Sequence, residues 1–406
     1  MGHARRGLGF FTTPIGIVFS TVVIDLISFG IILPLLPLYA ERFGASPIAI
    51  GMLAATYSLA QFVFAPALGR LSDRIGRRPV ILVALAGTAI ASLVMGLANS
   101  LWVLFVARAF DGTSGASYAV GQAYVADVTA PEERAKGMGL IGAAFGIGFV
   151  IGPAIGALCA LASPRLPFFV ASALAAANLL LALRRLPESR VTGAVRDVTG
   201  RAASLRQALA KREIAPLIWV SFIGTFAFVG METTFTLFGA HRLGYSLTQA
   251  ALIFVYVGVL SALVQGGLVR PLVARMGEAR VLRAGLVITA VGLAAIAPVQ
   301  ATWQLLLACL PLAIGSGLVF PALTAIVSRR TGTHQQGGIL GVLASTNGMA
   351  RVVGPIAATV LFQHVSEGAP YLVGGALFLA CLALLVGATR RVISGPGGPE
   401  ITATTT

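Results

Sequence analysis

Charged residues are scarce in this chain of 406 residues: Asp, Glu, Lys and Arg together make up 11%, whereas hydrophobic residues make up 57%. The mean hydropathy of +0.90 lies outside the range of soluble globular domains, including large multidomain ones. This composition excludes a soluble protein surrounded mainly by water and predicts an integral membrane protein.

Cysteine and histidine are also rare. The three cysteines, Cys159, Cys309 and Cys381, fall in different predicted helices and have no metal-ligand spacing. We therefore expect no disulfide framework, no metal site and no cofactor. The four histidines lie in tails, loops or helix ends, so carboxylates would have to carry any proton that crosses the protein.

Catalytic motifs are missing as well. The sequence contains no nucleophile elbow, no phosphate-binding loop and no Cys/His metal spacing. We therefore expect that the protein is not an enzyme, and a membrane enzyme or a substrate-sensing receptor is kept only as an alternative from another class.

Long apolar segments make up most of the chain, separated by turn or charge signals. Each has about 20 or more residues and, at a rise of roughly 1.5 Å per residue, can cross a hydrocarbon core of about 30 Å. They predict an all-α integral membrane protein with twelve transmembrane helices. The twelve segments are 14–38, 47–69, 79–98, 101–125, 138–162, 166–186, 213–238, 248–269, 281–299, 302–327, 338–362 and 370–389.

The placement of the basic residues gives the orientation. With a cytoplasmic N-terminus, all but five of the 29 Lys and Arg residues fall in cytoplasmic tails and loops. Arg42, Arg165 and Arg242 lie on the other side, and Arg108 and Arg351 lie within helices. The positive-inside rule then predicts a multi-pass protein of the plasma or bacterial inner membrane with both termini in the cytoplasm. The net charge of +15 is an orientation signal, so we expect no nucleic-acid partner.

The chain repeats itself at an offset of about 200 residues. Such a parallel duplication favours a transporter, because a site between two equivalent bundles can be opened to either side by rocking them. The matching stretches are Gly30 with Gly230, "ERFGAS" (41–46) with "HRLGYS" (241–246), and "VIGPAIGA" (150–157) with "VVGPIAAT" (352–359).

The duplication predicts the domain boundaries. Residues 1–186 form an N-terminal six-helix bundle and residues 213–389 a C-terminal six-helix bundle. A cytoplasmic linker at 187–212 joins the two bundles, and residues 390–406 form a cytoplasmic tail.

Five ionisable residues lie within the predicted membrane segments: Asp25, Arg108, Asp111, Glu232 and Arg351. A charge near the bilayer centre costs roughly 2.5 to 3.5 kcal/mol on insertion scales, so it normally faces a cavity or a partner. Asp25 and Arg351 lie near mid-membrane and are candidates for a central site.

Each of these residues has an expected role. Asp25 is the first candidate for proton coupling because desolvation at the midplane disfavours a charged carboxylate, and Asp111 and Glu232 are its rivals. Glu232 lies nearer the outer end of its segment. Arg108 can either neutralise Asp111 three residues further on or pair with Asp25. The residues expected to line the substrate cavity or balance its charge are Arg108, Arg351, Gln122 and Asn347.

Glycines form a stripe in the fifth segment, "GIGFVIGPAIGA" (146–157). Gly148, Gly152 and Gly156 recur every four residues, which allows another helix backbone to approach closely. Pro153 removes a backbone donor and is expected to bend or loosen the helix.

Several motifs in order resemble the major facilitator superfamily, and within it the drug:proton antiporters of the tetracycline-exporter type. The resemblance implies the major facilitator fold, two six-helix halves, and a helix 5 antiporter motif at Gly148, Gly152, Pro153 and Gly156. The motifs are "DLISFGIILPLLP" (25–37), "GRLSDRIGRR" (69–78), "RAFDGTSGA" (108–116), "ADVTAPEERAKGMG" (126–139) and "GIGFVIGPAIG" (146–156).

The resemblance also implies a function: secondary active transport, with proton-coupled efflux of a small amphipathic drug-like compound, as in multidrug efflux and antibiotic resistance. The expected partners are a small-molecule substrate, protons and the lipid bilayer, with the chain acting as a monomer. A proton symporter or facilitator for a nutrient or metabolite is the alternative. The third and ninth segments carry no acidic residue, unlike tetracycline exporters of this kind, which counts against tetracycline itself.

The charged stretch "GRLSDRIGRR" has a further implied role as a conformational latch. The resemblance implies that Asp73, Arg77 or Arg78, and Asp127 form a cytoplasmic cluster that holds the two halves together when the site faces outward. Its alternative is a topology signal alone, which explains the arginines but not Asp73. The complete expected latch is Gly69, Asp73, Arg74, Gly76, Arg77, Arg78 and Asp127.

Overall fold

A computed structural model describes residues 13–115, 117–129, 133–189, 214–331 and 336–393. Within these ranges the secondary structure is helical, without strands. Most of the predicted linker at 187–212 and of the predicted tail at 390–406 lies outside the described residues. The described helices fall on either side of that linker.

The first half begins with a capped helix: the hydroxyl of Thr13 accepts a hydrogen bond from the backbone of Gly16, and Pro14 follows at the first helical position. Ser46 and Pro47 start the third helix in the same way. The helices are α1 (Pro14–Ile32), α2 (Leu36–Glu41), α3 (Pro47–Ile75), α4 (Arg77–Gly96), α5 (Leu101–Ser114), α6 (Ser117–Val128), α7 (Arg134–Ala162) and α8 (Leu166–Arg185).

The second half repeats this order, and Ser246 begins its second helix with a capping box to Gln249. A five-residue π-helix, Val264–Leu268, interrupts the span that corresponds to α3. The α-helices are α9 (Ala215–Leu243), α10 (Leu247–Leu263), α11 (Val269–Met276), α12 (Glu278–Ile296), α13 (Thr302–Arg330), α14 (Gln336–His364) and α15 (Ala369–Ile393).

Tight turns recur at equivalent positions of the two halves. Gly44 and Gly244 have φ angles of 76° and 68°, and Gly76 and Gly277 have φ angles of 107° and 77°. Glycine adopts positive φ without the steric cost that a side chain brings. The two pairs of turns lie on opposite membrane faces. We call the face with Gly76 and Gly277 the basic face and the other the opposite face.

Ten helices of the described residues are long and apolar enough to cross a membrane. The fourth predicted segment is not among them because it is divided into α5 and α6, which have 14 and 12 residues. Helix α14 has 29 residues and is also not among the ten. Counting α5 with α6 and adding α14 gives the twelve spans that the sequence predicts.

Small residues allow the helices of each half to pack closely. A Cβ at Gly152 on α7 would lie 2.7 Å from the Cα of Gly30 on α1. The second half repeats this contact, since a Cβ at Gly230 on α9 would lie 3.1 Å from the carbonyl oxygen of Gly354 on α14. The duplicated sequence therefore builds duplicated helix contacts.

The two halves meet mainly through α3 with α14 and through α7 with α10. Towards the opposite face these contacts are tight: Gly51 packs on Thr359, and a Cβ at Gly258 would lie 2.8 Å from the carbonyl oxygen of Phe149. Near the basic face, several glycines of α3, α7, α14 and the π-helix that follows α10 have open space beside them among the described residues. Those with no neighbouring atom within 4 Å of a Cβ are Gly69, Gly139, Gly142, Gly146, Gly266, Gly267, Gly338 and Gly341. Among the described residues, the two halves are thus in close contact towards the opposite face, whereas these glycines near the basic face are uncovered.

Candidate functional site

The centre of the first half contains a buried ion pair. The guanidinium of Arg108 lies 3.0 Å from the carboxylate of Asp111, one turn further along α5, and the two side chains are only 5% and 7% exposed. The side chain of Thr88 on α4 lies beside the carboxylate of Asp111. This is one of the two pairings considered for Arg108.

Two polar residues of α3 complete this cluster. The guanidinium of Arg108 lies over the ring of Tyr57, 4.3 Å from its centroid, in a cation–π contact. The side chain of Gln61 donates to the carbonyl oxygen of Gly115 at 2.8 Å, where α5 ends, and to the hydroxyl of Tyr57 at 3.3 Å. Sequence reasoning missed both residues, although their spacing of four places them on one face of an otherwise apolar helix.

Asp25 and Arg351 belong to the same electrostatic environment. The charges of Asp111, Arg108, Asp25 and Arg351 all act on the hydroxyl of Tyr57. Asp25 is half-buried on α1, whereas Arg351 is exposed near the middle of α14. An exposed arginine at this depth is consistent with a polar space between the halves rather than with lipid.

Glu232 adds a third carboxylate from the second half. It lies half-buried on α9, and the charge of Arg351 acts on it. Eleven residues separate Glu232 from the end of α9 at Leu243, about 16 Å along the axis. Arg351 on α14 therefore lies within electrostatic range of Tyr57 in the first half and of Glu232 in the second.

The uncharged cavity residues are placed on two helices. Asn347 on α14 accepts a hydrogen bond from the hydroxyl of Ser221 on α9 at 2.8 Å, which ties these two helices together. Gln122 lies partly buried on α6. Sequence reasoning did not single out Ser221.

A second charge cluster lies at the basic face. Arg77 contacts the carboxylate of Asp73 at 2.6 Å and that of Asp127 at 3.0 Å, and it donates to the hydroxyl of Ser72 at 2.6 Å. These contacts join the ends of α3, α4 and α6, all within the first half. Asp73 is 52% exposed, which leaves its second carboxylate edge accessible.

Glu188, just after α8, completes this cluster and was not predicted. Its carboxylate accepts hydrogen bonds from the backbone N–H groups of Arg77 at 2.7 Å and Arg78 at 3.1 Å. These are first-turn donors of α4, where the helix dipole favours a negative charge. The positive φ of Gly76 and its contact with the Glu188 carboxylate leave no room for a side chain there.

Three other residues of the expected latch, Arg78, Arg74 and Gly69, lie near this cluster. Arg78 donates to the carbonyl oxygen of Leu183 on α8 at 2.8 Å. Arg74 is exposed, and Gly69 has open space beside it.

The glycine stripe of α7 lies against α1. A Cβ at Gly148 would lie 2.6 Å from the Cβ of Leu26, and one at Gly156 would lie 3.0 Å from the carbonyl oxygen of Ile31. Pro153 is buried within the continuous helix α7. The stripe therefore holds α7 against the helix that carries Asp25.

Comparison with models of protein families identifies the family to which this chain belongs. The model of the Major Facilitator Superfamily matches residues 18–275 and 267–401. The chain belongs to the Major Facilitator Superfamily. This membership confirms the family and the fold class that the sequence motifs indicated. As a superfamily member the chain is a multi-pass membrane transporter rather than an enzyme.

Relatives within the superfamily span nearly the whole chain. Tetracycline resistance protein, class C, of Escherichia coli is 36% identical over 389 residues, which are 93% of this chain and 98% of that protein. Multidrug resistance protein 2 of Bacillus subtilis (strain 168) is 29% identical over 377 residues, 91% of this chain and 93% of that protein.

Solved superfamily structures have the same architecture. The human organic anion transporter MFSD10 (TETRAN) is 27% identical, with a TM-score of 0.70 over 91% of this chain and 98% of its own. The nucleoside transporter NupG has a TM-score of 0.73 over 93% of this chain and 99% of its own. NupG is only 13% identical, so it supports the fold alone.

Proposed function

We propose that this chain is a secondary active transporter that exports small amphipathic drug-like compounds in exchange for protons. The observation that carries the proposal is the 36% identity to a tetracycline resistance protein over 93% of the chain. The similarity to a multidrug resistance protein over 91% of the chain supports a drug-like rather than a nutrient substrate.

The interior charges support proton coupling. Arg108 and Asp111 already neutralise each other at 3.0 Å, and Arg351 acts on Glu232. We assign the coupled proton to Asp25 because it lies half-buried on α1 near mid-membrane, on the helix that the glycine stripe of α7 packs against. If proton and substrate compete for this one group, binding of either displaces the other, and the result is exchange. Glu232 and Asp111 are the next candidates.

The basic face is proposed to lie in the cytoplasm, with both termini on that side. The asymmetry of the arginines supports this orientation, because basic loops are retained on the cytoplasmic side. The membrane is then a plasma or bacterial inner membrane. We also propose a monomer, since both halves that enclose the interior come from one chain.

The cluster around Arg77 is proposed to act as a latch. In this structure the side chain of Asp73 is half-exposed. When the basic face closes, its charge can reach the second half and hold the two halves together. This proposal is supported by the position of the cluster at the open end of the molecule.

The test is transport by purified protein in vesicles with a pH gradient of either sign, using a panel of amphipathic compounds that includes tetracycline. We expect movement of at least one compound against the proton flow, abolished when a protonophore collapses the gradient. Asp25→Asn should lose gradient-driven transport and keep passive exchange of the compound. Movement in the same direction as the protons would instead indicate the symporter alternative. Normal gradient-driven transport by Asp25→Asn would assign the proton to another carboxylate.

A further inference from the structure

The closed, opposite face of the molecule contains a side-chain contact between the two halves. Nε2 of His241, near the end of α9, lies 2.7 Å from Oε1 of Glu41, at the end of α2. Residues 41 and 241 are equivalent positions of the repeat, as the matched stretches "ERFGAS" and "HRLGYS" show. Repeats of this kind are related by an axis along the membrane normal. Equivalent residues next to that axis therefore face each other.

The pair lies among other contacts that hold the halves together at this face. The backbone N–H of Ile48 donates to the side chain of Gln363 at 3.2 Å, again between the halves. The ring of Phe362 packs against the imidazole of His241 with a centroid separation of 5.7 Å. With His241 37% and Glu41 27% exposed, solvent on this side reaches both residues while Phe362 holds the imidazole in place.

Other ionisable groups stand close to the pair. Arg242 is engaged within the second half, where it contacts Glu367 at 3.3 Å and donates to the carbonyl oxygen of Ala297 at 2.8 Å. Arg42 follows Glu41 and is exposed, and His364 lies exposed at the end of α14. Among these groups, Glu41 is the carboxylate that contacts the imidazole of His241.

We propose that Glu41 and His241 form a proton-sensitive gate at the opposite face. Histidine changes charge between about pH 5 and pH 8. A protonated imidazole turns the existing contact into a full ion pair, and ionised partners strengthen a hydrogen bond. The contact joins the two halves only while this face is closed, so protonation of His241 favours the closed conformation over the open one.

The gate has a consequence for the transport cycle. If the basic face is cytoplasmic, as proposed above, His241 is exposed to the outer medium. Acid outside the cell then favours the conformation that is open to the cytoplasm, where an exporter takes up its substrate. This consequence rests on the proposed orientation, whereas the gate itself and its test do not.

The test measures how pH shifts the conformational equilibrium. Spin labels are attached at Asn99→Cys and Gln300→Cys, two exposed loop positions on this face, after replacement of the three native cysteines. Distances are measured in lipid nanodiscs at about pH 5 and about pH 8. We expect the ratio of closed to open molecules to rise at acid pH by about two- to fivefold, as for a partly exposed ion pair.

Three variants separate the gate from other titrating groups. His241→Gln keeps a hydrogen-bonding side chain but should lose this two- to fivefold component. His364→Gln, the matched control on the same face, should keep it. The exchanged pair, Glu41→His with His241→Glu, should also keep it, because the same two groups still meet. The proposal would be overturned if His241→Gln kept the full pH response. It would also be overturned if the parent or the exchanged pair showed no pH response.

Discussion

At the residue scale, the buried Arg108–Asp111 pair is the feature whose disruption should destabilise the protein most. Its side chains are 5% and 7% exposed and 3.0 Å apart. Removing one partner of a buried pair leaves the other charge uncompensated and destabilises a protein by about 3–5 kcal/mol, whereas replacing both partners costs much less. The cation–π contact with Tyr57 cannot replace the lost anion.

We therefore predict that Asp111→Asn lowers the thermal unfolding midpoint strongly. Adding Arg108→Gln to that variant should recover part of the loss, because no unpaired charge then remains. Unfolding in detergent, followed for the parent, both single variants and the double variant, measures the coupling. Strictly additive losses would mean that the two side chains do not stabilise each other.

The residues that sequence reasoning found and missed differ in a physical way. Asp25, Arg108, Asp111, Glu232 and Arg351 stand out because charge inside an apolar segment is costly. The sequence alone did not predict which carboxylate pairs with Arg108, because that depends on how the helices pack. Tyr57 and Gln61 are uncharged and therefore gave a weaker signal.

At the scale of elements, the fourth apolar segment contains a helix break that its hydropathy did not indicate. The sequence predicted one helix over 101–125, but the structure divides it into α5 and α6. The stretch from Gly112 to Ser117 is rich in glycine and serine, which are weak helix formers. The side chain of Gln61 binds the carbonyl of Gly115 at the end of α5, so the division follows from a contact with α3 as well as from propensity.

The glycine stripe of α7 supports a prediction with an internal control. A Cβ at Gly152 would lie 2.7 Å from the backbone of Gly30, whereas one at Gly142 on the same helix meets open space. Overpacking typically costs about 1–3 kcal/mol. We predict that Gly152→Ala lowers the unfolding midpoint and impairs transport.

The control, Gly142→Ala, should have the parent's transport rate and equal or slightly higher stability, because alanine favours helix. Both variants are compared by thermal unfolding and by vesicle transport. Equal behaviour of the two would show that α1 and α7 can separate without cost.

The latch around Arg77 gives another prediction at the scale of elements. Asp73→Asn keeps the shape of the side chain and removes its charge, so the variant should fold normally. We expect transport to fall about tenfold, the effect of a change of about 1.4 kcal/mol in a conformational equilibrium. Arg70→Gln, exposed on the same helix, is the control and should transport like the parent. If Asp73→Asn transports at the parent's rate, the charge of Asp73 contributes to membrane topology but not to a latch.

At the scale of the whole molecule, the duplication could be predicted and the conformation could not. The offset of about 200 residues predicted two equivalent halves, and the paired contacts at Gly30 and Gly230 follow it. Which face is closed depends on small free-energy differences between arrangements of the same two bundles. Among the described residues, the Glu41–His241 contact at the opposite face and the uncovered glycines near the basic face indicate which arrangement this structure has.

The orientation of the molecule is the last prediction. Arginines crowd the loops of the basic face, and moving them across a membrane is unfavourable, so this face should be cytoplasmic. In a background without native cysteines, we expect a membrane-impermeant thiol reagent to label Asn99→Cys and Gln300→Cys in intact cells. Arg280→Cys, exposed near the turn at Gly277, should react only after the cells are opened. Labelling of Arg280→Cys in intact cells would reverse the orientation, and with it the side from which His241 senses protons.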